Sequence, residues 1–241
     1  MSHRVLDLEE LSAYLHLPRG DVQRLVKRDE IPHERVGDQL RFRKVEIDAW
    51  ASQRLLGLSG DGLHDFHRAS SAKMHNLSDR HALIPELMKP SYIDAEFTAK
   101  TRSSAIRGMV ALADQTGLLI HASDLQQQVE EREQMCSTAM AGGFALMHAK
   151  IHDPYMFEDT FIVLGRSIQP VPFGAPDGNN TKLFFMICTQ DDQIHLHLLA
   201  RLSMMCYHTP MLMELIECGA DEEMYELMVS SEEAVIKDKL K

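Results

Sequence analysis

The spacing of apolar residues changes period several times along the chain, and each change marks an element. Behind Asp7, Leu8, Leu11, Leu15 and Leu17 recur at helical spacing and predict a short amphipathic helix. Pro18 suits the entry of a second helix, where its missing N–H does no harm. That helix turns Val22, Leu25 and Val26 inward and Arg19, Gln23, Arg24 and Lys27 outward. It stops before Pro32, because proline restricts the residue that precedes it. Val36-Gly37-Asp38-Gln39-Leu40 reads as a hairpin tip, followed by Arg41-Phe42-Arg43 and then a helix from about Lys44 with Val45, Ile47 and Trp50 on one side.

Periodicity fades over residues 55–82, where Gly57, Ser59, Gly60, Gly62, Ser70 and Ser71 accumulate; this is the expected linker. Its histidines, His64, His67, His75 and His81, lack an accompanying Cys or carboxylate pair and read as solvated side chains, not a metal site. From Leu83 to the end, helices and strands alternate, which predicts an α/β domain over residues 83–241. Helices are expected over Thr101–Leu112, from Asp124 to about Glu133 behind a Ser123 cap, over Gln193–Met205, and over Pro210–Glu217 before Gly219. Phe144–His148, Phe161–Leu164 and Lys182–Cys188 are strand-like, with the turn residues Asp177-Gly178-Asn179-Asn180 between the last two. Leu196, Leu199 and Leu202 read as core, as do His208 and the Met-rich stretch 203–213.

Charge divides the chain in the same places. The net charge is −11, and residues 1–54 carry ten Lys/Arg against ten Asp/Glu. The whole acidic excess falls beyond residue 83, so any nucleic-acid contact must come from a local face of the neutral N-terminal segment. No run approaches 18 uncharged apolar residues, so no membrane span is expected; the N-terminus lacks the apolar stretch of a signal peptide. Cys136, Cys188, Cys206 and Cys218 form no CxxC pair and suit reduced thiols in a cytoplasm.

The densest chemistry lies between Arg132 and His148: an Arg132-Glu133 pair, Ser137-Thr138, the small-residue loop Ala139–Gly143, and a strand ending in histidine. A neutral imidazole nitrogen is a competent nucleophile near neutral pH. A phosphoryl group received there needs donors, and Arg132, Ser137, Thr138 and the backbone of Gly142 and Gly143 offer a guanidinium fork, hydroxyls and N–H groups. A buried strand-end histidine beside an incidental loop is the other reading these residues allow.

The stretch resembles the signature of the fructose-, mannitol- and nitrogen-type enzymes IIA of the phosphotransferase system. Phe173-Gly174-Ala175-Pro176-Asp177-Gly178, the helix-like Asp192–Leu202, the opening Leu83–Met88 and the ending Glu222–Met228 match in order, so the resemblance spans about residues 83–230. It implies a mixed β-sheet flanked by helices in an α/β sandwich, no cofactor, and His148 phosphorylated by an HPr-like phosphocarrier protein. His195 is implied to sit beside it and Arg132 to hold charge. His197, about 200° further around the helix, should point elsewhere. The usual proline before the histidine is Met147 here, the glycine after it is Ala149, and Ala139 and Ala141 replace two glycines. These changes stiffen the loop but leave His148, Arg132 and His195 in place, so phosphorylation is still the expectation, with slower transfer or a degenerate regulatory domain as the alternatives.

Residues 1–54 resemble the excisionase- and MerR-like winged helix-turn-helix modules, on Leu8–Leu15, Arg19–Val26, Ile31-Pro32, Val36-Gly37, Arg41–Arg43 and Glu46–Trp50. That resemblance implies DNA contacts from Arg19, Gln23, Arg24 and Lys27 on the second helix and from Arg41 and Arg43 on the wing. A protein-binding module is the alternative, because Asp21 and Asp29 flank the helix. A single copy neutralises few phosphates, so useful affinity requires a homodimer or tandem sites. The combined expectation is a cytoplasmic, phospho-regulated DNA-binding protein of bacterial type. The alternatives are a transport component that passes phosphoryl to an enzyme IIB, and an unphosphorylated interaction module.

Overall fold

The computed structural model describes residues 4–15, 17–56, 82–153 and 155–238. The linker residues 57–81, with His64, His67, His75 and His81, lie outside the described residues. The chain falls into two compact units that divide between Asp79 and Arg80.

In the first unit the Asp7 carboxylate accepts the N–H groups of Glu9 and Glu10, and Glu10 reaches back to the Asp7 N–H. This capping box satisfies donors that a helix start leaves open, and fixes the entry of α1 (Leu8–Tyr14). α2 (Arg19–Lys27) follows from Pro18. β1 (Val5–Leu6), β2 (Glu34–Val36) and β3 (Gln39–Arg43) form an antiparallel sheet in the order β1-β3-β2. Gly37, at φ 61°, supplies the left-handed step of the β2–β3 tip. α3 (Lys44–Leu56) closes the unit, whose core is Leu6, Leu11, Leu15, Val22, Leu25, Ile31, Phe42, Ile47 and Ala51. Trp50 lies at the margin, donating its indole N–H to the Glu30 carbonyl.

The second unit is a five-stranded mixed sheet in the order β4-β7-β8-β6-β5, where β4 is Ile93–Phe97, β5 Ala139–Met140, β6 Phe144–His148, β7 Phe161–Val171 and β8 Thr181–Cys188. β6 runs parallel to β8, pairing His148 with Ile187, while β7 and β8 are antiparallel. Every residue of β6 is buried, so the strand is covered on both faces and reads as a continuous apolar run. Ala145 and Met147 share a cluster with Ile106, Met109, Leu125 and Val129 of α5 (Arg102–Gln115) and α6 (Ala122–Met135). Strand alternation turns Phe144, Leu146 and His148 to the opposite face. There Tyr207 of α7 (Asp192–His208) meets Phe144 and His195 meets His148.

Three helices complete the unit: the short α4 (Ile84–Leu87) and α8 (Met211–Glu217) and the long α9 (Asp221–Asp238). The buried Glu232 carboxylate on α9 accepts the N–H groups of Leu83 and Ile84 and pairs with Arg201 of α7 at 2.8 Å. Several boundaries differ from expectation. α6 begins at Ala122 behind His121 without a side-chain cap, and the Ser123 hydroxyl lies on the Asp124 carboxylate instead. β7 continues to Val171, past the apolar run, through the exposed Ile168, Gln169 and Pro170.

Candidate functional site

Three elements converge at the end of β6. His148 is the last residue of that strand, Arg132 lies in the last turn of α6, and His195 lies in the first turn of α7. The Arg132 Nε–H donates to His148 Nε2 at 3.0 Å, and His148 Nδ1 lies 2.9 Å from the Leu146 carbonyl. Arginine has no acceptor atom, so the two partners assign the tautomer: Nδ1 carries the proton and Nε2 the free lone pair. The His195 ring stands 4.5 Å from that of His148, at 49°.

All three side chains are buried. Burial, then the Arg132 charge, then that of His152, hold His148 well below the ordinary histidine range, against the opposing Leu146 bond. It is therefore a neutral imidazole with its nucleophilic nitrogen facing a guanidinium. Arg132 itself is shifted down by desolvation, which Glu133 and Cys136 oppose. Its Nη1 donates to the Cys136 carbonyl, whereas Nη2 is buried without a hydrogen-bond partner. A buried donor left open costs roughly 1–3 kcal/mol. It is tolerated where a further acceptor, such as an anionic oxygen, completes the set.

The other residues expected around the phosphate are placed differently. The Ser137 hydroxyl donates to the Phe173 carbonyl at 2.8 Å, and Thr138 gives both its N–H and its hydroxyl to the Glu133 carboxylate. Burial raises the Glu133 carboxyl, opposed by bonds from Thr138 and Ser137 and by the Arg102 charge. These hydroxyls thus hold the loop beneath the site. Gly142 and Gly143, at φ 100° and 82°, form the β5–β6 turn, and the Gly142 N–H goes to Asp177. The length of β6 separates that turn from His148, about 16 Å at the rise of an extended strand. The structure does not bring it to the acceptor. Met147, where the resembling family has proline, pairs with Met186 and extends the ladder up to the site.

One residue was not read from the sequence. The His152 ring lies against that of His195, with centroids 4.2 Å apart at 33°. Its only signal was a histidine four positions after His148, in a stretch without periodicity. His197 is also fully buried, while the rings of both His148 and His152 meet His195. Among the described residues no group of three or more His, Cys, Asp or Glu side chains is arranged to hold a metal ion.

In the first unit Arg19, Gln23, Arg24 and Lys27 are exposed along α2, and Arg41 and Arg43 share one side of β3 opposite the buried Phe42. Most of these cations already have partners. Arg19 pairs with Glu9 at 2.6 Å, Arg24 with Asp21, and Arg43 with Glu34 at 2.5 Å and Glu46 at 3.4 Å. Arg41 donates to Gln39.

A mixed sheet flanked by helices thus carries a histidine–arginine–histidine cluster at the end of one strand. The family described as phosphoenolpyruvate-dependent sugar phosphotransferase system, EIIA 2, matches residues 86–231, and a helix-turn-helix domain matches residues 5–55. The chain belongs to that EIIA 2 family and carries a helix-turn-helix domain ahead of it. The nitrogen regulatory protein of Escherichia coli (strain K12) is 30% identical over 106 residues, 42% of this chain and 62% of that protein. The fructose-specific EIIABC component of Bacillus subtilis (strain 168) is 26% identical over 147 residues, 60% of this chain and 23% of that protein. The chain thus spans less than two thirds of the length of either relative.

Among solved structures, the nitrogen regulatory protein IIA-Ntr from Neisseria meningitidis superposes with a TM-score of 0.55 at 21% identity, covering 61% of this chain and 99% of that one. The mannitol IIA of Escherichia coli gives 0.53 at 18% identity, covering 58% and 98%. These likenesses show the fold. Among the described residues no helix is long and apolar enough to cross a membrane.

Proposed function

We propose that residues 83–241 form a phosphoryl-accepting regulatory domain whose acceptor is His148, tethered through residues 55–82 to a DNA-binding module at 1–54. The donor is an HPr-like phosphocarrier, and the compartment is a bacterial cytoplasm. The observation that carries this reading is the Arg132 guanidinium, which holds the lone-pair nitrogen of a neutral, buried His148 and keeps Nη2 in reserve. In the transfer step the Nε2 lone pair attacks the phosphorus of the carrier's phosphohistidine. The carrier's N–P bond breaks, its electron pair returns to the carrier imidazole, and the His148 proton stays on Nδ1, donated to the Leu146 carbonyl. Arg132 turns its donors to the phosphoryl oxygens, and His195 stands beside them. The start of α7 adds the positive end of its dipole.

Phosphorylation brings nearly two negative charges to a domain that is already acidic. The helix-turn-helix match and the exposed residues of α2 support coupling of that change to DNA binding. A second reading, a transport component that passes phosphoryl to an enzyme IIB, draws on the match to the EIIABC component. The deciding experiment is phosphoryl transfer from enzyme I and its carrier to the native chain and to His148→Ala. Acid-labile, alkali-stable label on the native chain alone supports the acceptor. An unlabelled, folded native chain refutes it. Subsequent passage to an enzyme IIB, or a change in DNA binding, separates the two readings.

A further inference from the structure

Arg132 is anchored at His148 Nε2 through its Nε and at the Cys136 carbonyl through its Nη1. The first anchor has to open when the Nε2 lone pair goes to phosphorus, so the second keeps the guanidinium in place during transfer. Cys136 is extended, at φ −165° and ψ 139°, so its carbonyl has left the ladder of α6 and points where the following residues put it. Thr138 gives its N–H to the Glu133 carboxylate at 3.0 Å and its hydroxyl at 2.7 Å, and the Thr138 carbonyl accepts the Leu146 N–H at 3.1 Å. A closed circuit results. It runs from His148 to Arg132 and Cys136, along the chain to Thr138, then to Leu146 and back to His148 Nδ1.

The two sides of this circuit differ in what holds them. On the strand side Leu146 and His148 pair with Phe185 and Ile187 of β8. Residues 136–138 belong to no strand, and their charged acceptor is the buried Glu133.

Resting on the acceptor reading of His148, we propose that Glu133 is a positioning residue for phosphoryl transfer, fixing Thr138 so that the Cys136 carbonyl keeps Arg132 aimed at the incoming group. A hydrogen bond to an ionised acceptor is about twice as strong as a neutral one, which suits a carboxylate to this place better than an amide. Its burial is offset by those bonds and by Arg102, whose Nε lies 4.0 Å from Glu133 Oε1. The Glu133 charge also opposes the desolvation that shifts Arg132 down, so the carboxylate supports the guanidinium directly as well as through the loop. Glu133 forms no bond in the transfer. Both it and Thr138 are buried, out of reach of a docked carrier.

The test compares the full native chain with Glu133→Gln, Thr138→Val and Thr138→Ser in single-turnover labelling across a range of phosphorylated carrier concentrations. Glu133→Gln keeps the shape and removes the charge; Thr138→Val keeps the shape and removes the hydroxyl. Glu133→Gln is expected to lower the maximal rate about ten- to a hundredfold, the scale of a small misplacement, with the half-saturating carrier concentration unchanged. Thr138→Val is expected to lower it severalfold, and Thr138→Ser to recover most of that loss. In NMR spectra of the chain without donor, the Arg132 Nε–H should be protected from exchange in the native chain and lose that protection in Glu133→Gln. A Gln variant with the native maximal rate overturns the proposal and leaves Glu133 a packing residue. If the Gln variant does not fold, a Thr138→Val chain with the native rate overturns it instead. A native chain that takes no label overturns the acceptor reading and this one with it, whereas a labelled native chain beside an equally fast Gln variant overturns this one alone.

Discussion

At the scale of single residues, the site is defined by which atoms have been left open. Arg132 spends one donor on His148 and one on a backbone carbonyl, and its buried Nη2 awaits an acceptor. Hydrogen bonds to a charged group contribute about 1.5–3 kcal/mol, so Arg132→Gln should slow phosphoryl acceptance by roughly 10- to 150-fold. Single-turnover labelling with excess phosphorylated carrier measures this; an unchanged rate removes Arg132 from the site. Because burial and Arg132 depress His148 in the folded chain, the unfolded chain takes up a proton below its ordinary value of 6.5 and the folded chain does not. Stability is therefore full above pH 6.5 and is lost as pH falls, by up to about 1.4 kcal/mol per unit for this one group. Melting curves from pH 7.5 to 5 should fall more steeply for the native chain than for His148→Gln. Parallel curves contradict a buried neutral His148.

At the scale of elements, the sheet is shaped by what two glycines leave room for. A Cβ on Gly108 of α5 would stand 2.5 Å from Phe97 Cε2, and one on Gly165 of β7 would meet Met109 Sδ at 2.8 Å and Phe97 Cγ at 3.1 Å. Phe97, at the end of β4, is thus seated between helix and strand, where it also meets Phe184. Gly108→Ala gains helix propensity of about 1 kcal/mol, but overpacking costs about 1–3 kcal/mol, so the net effect should be destabilising. Gly165→Ala lacks even the propensity gain. Thermal unfolding checks both; a raised melting temperature for either shows that the Phe97 ring moves aside freely.

Legibility follows the same physics. β6 and β8 stood out in the sequence because strands covered on both faces are uninterrupted apolar runs. β4 did not, since three of the five residues in Ile93-Asp94-Ala95-Glu96-Phe97 are poor strand formers, and the two-residue β5 is too short to carry a pattern. Arg132 and His148 stand out in one chemically dense stretch, whereas His195, 63 residues beyond Arg132, is legible only through the family resemblance. His152 sits in a loop, where no period marks a side chain as facing inward. The glycine turn is close to His148 along the chain but not in space, because β6 stretches between.

For the whole molecule, the balance of charge decides how DNA can be held. The chain carries −11 overall, and the arginines of α2 and β3 already lean on Glu9, Asp21, Glu34 and Glu46. Exposed pairs of this kind contribute about 0–1 kcal/mol each, so they yield to phosphates but subtract from the gain. Five cationic side chains are offered, Arg19, Arg24, Lys27, Arg41 and Arg43, alongside the neutral Gln23. At about 0.9 ions released per phosphate, the logarithm of affinity should fall against that of salt with a slope no steeper than about −4.5 per module. Titrating the full chain onto duplex DNA across a range of salt concentrations measures the slope. A value near −9 means two copies bind together, and no measurable binding at low salt leaves the module a protein-docking unit. Added charge at His148 should weaken the same binding, because two further negative charges on an acidic chain oppose its approach to phosphates. If the phosphorylated and unphosphorylated chains give identical curves, the acceptor and the helix-turn-helix operate independently, and the tether joins two functions without coupling them.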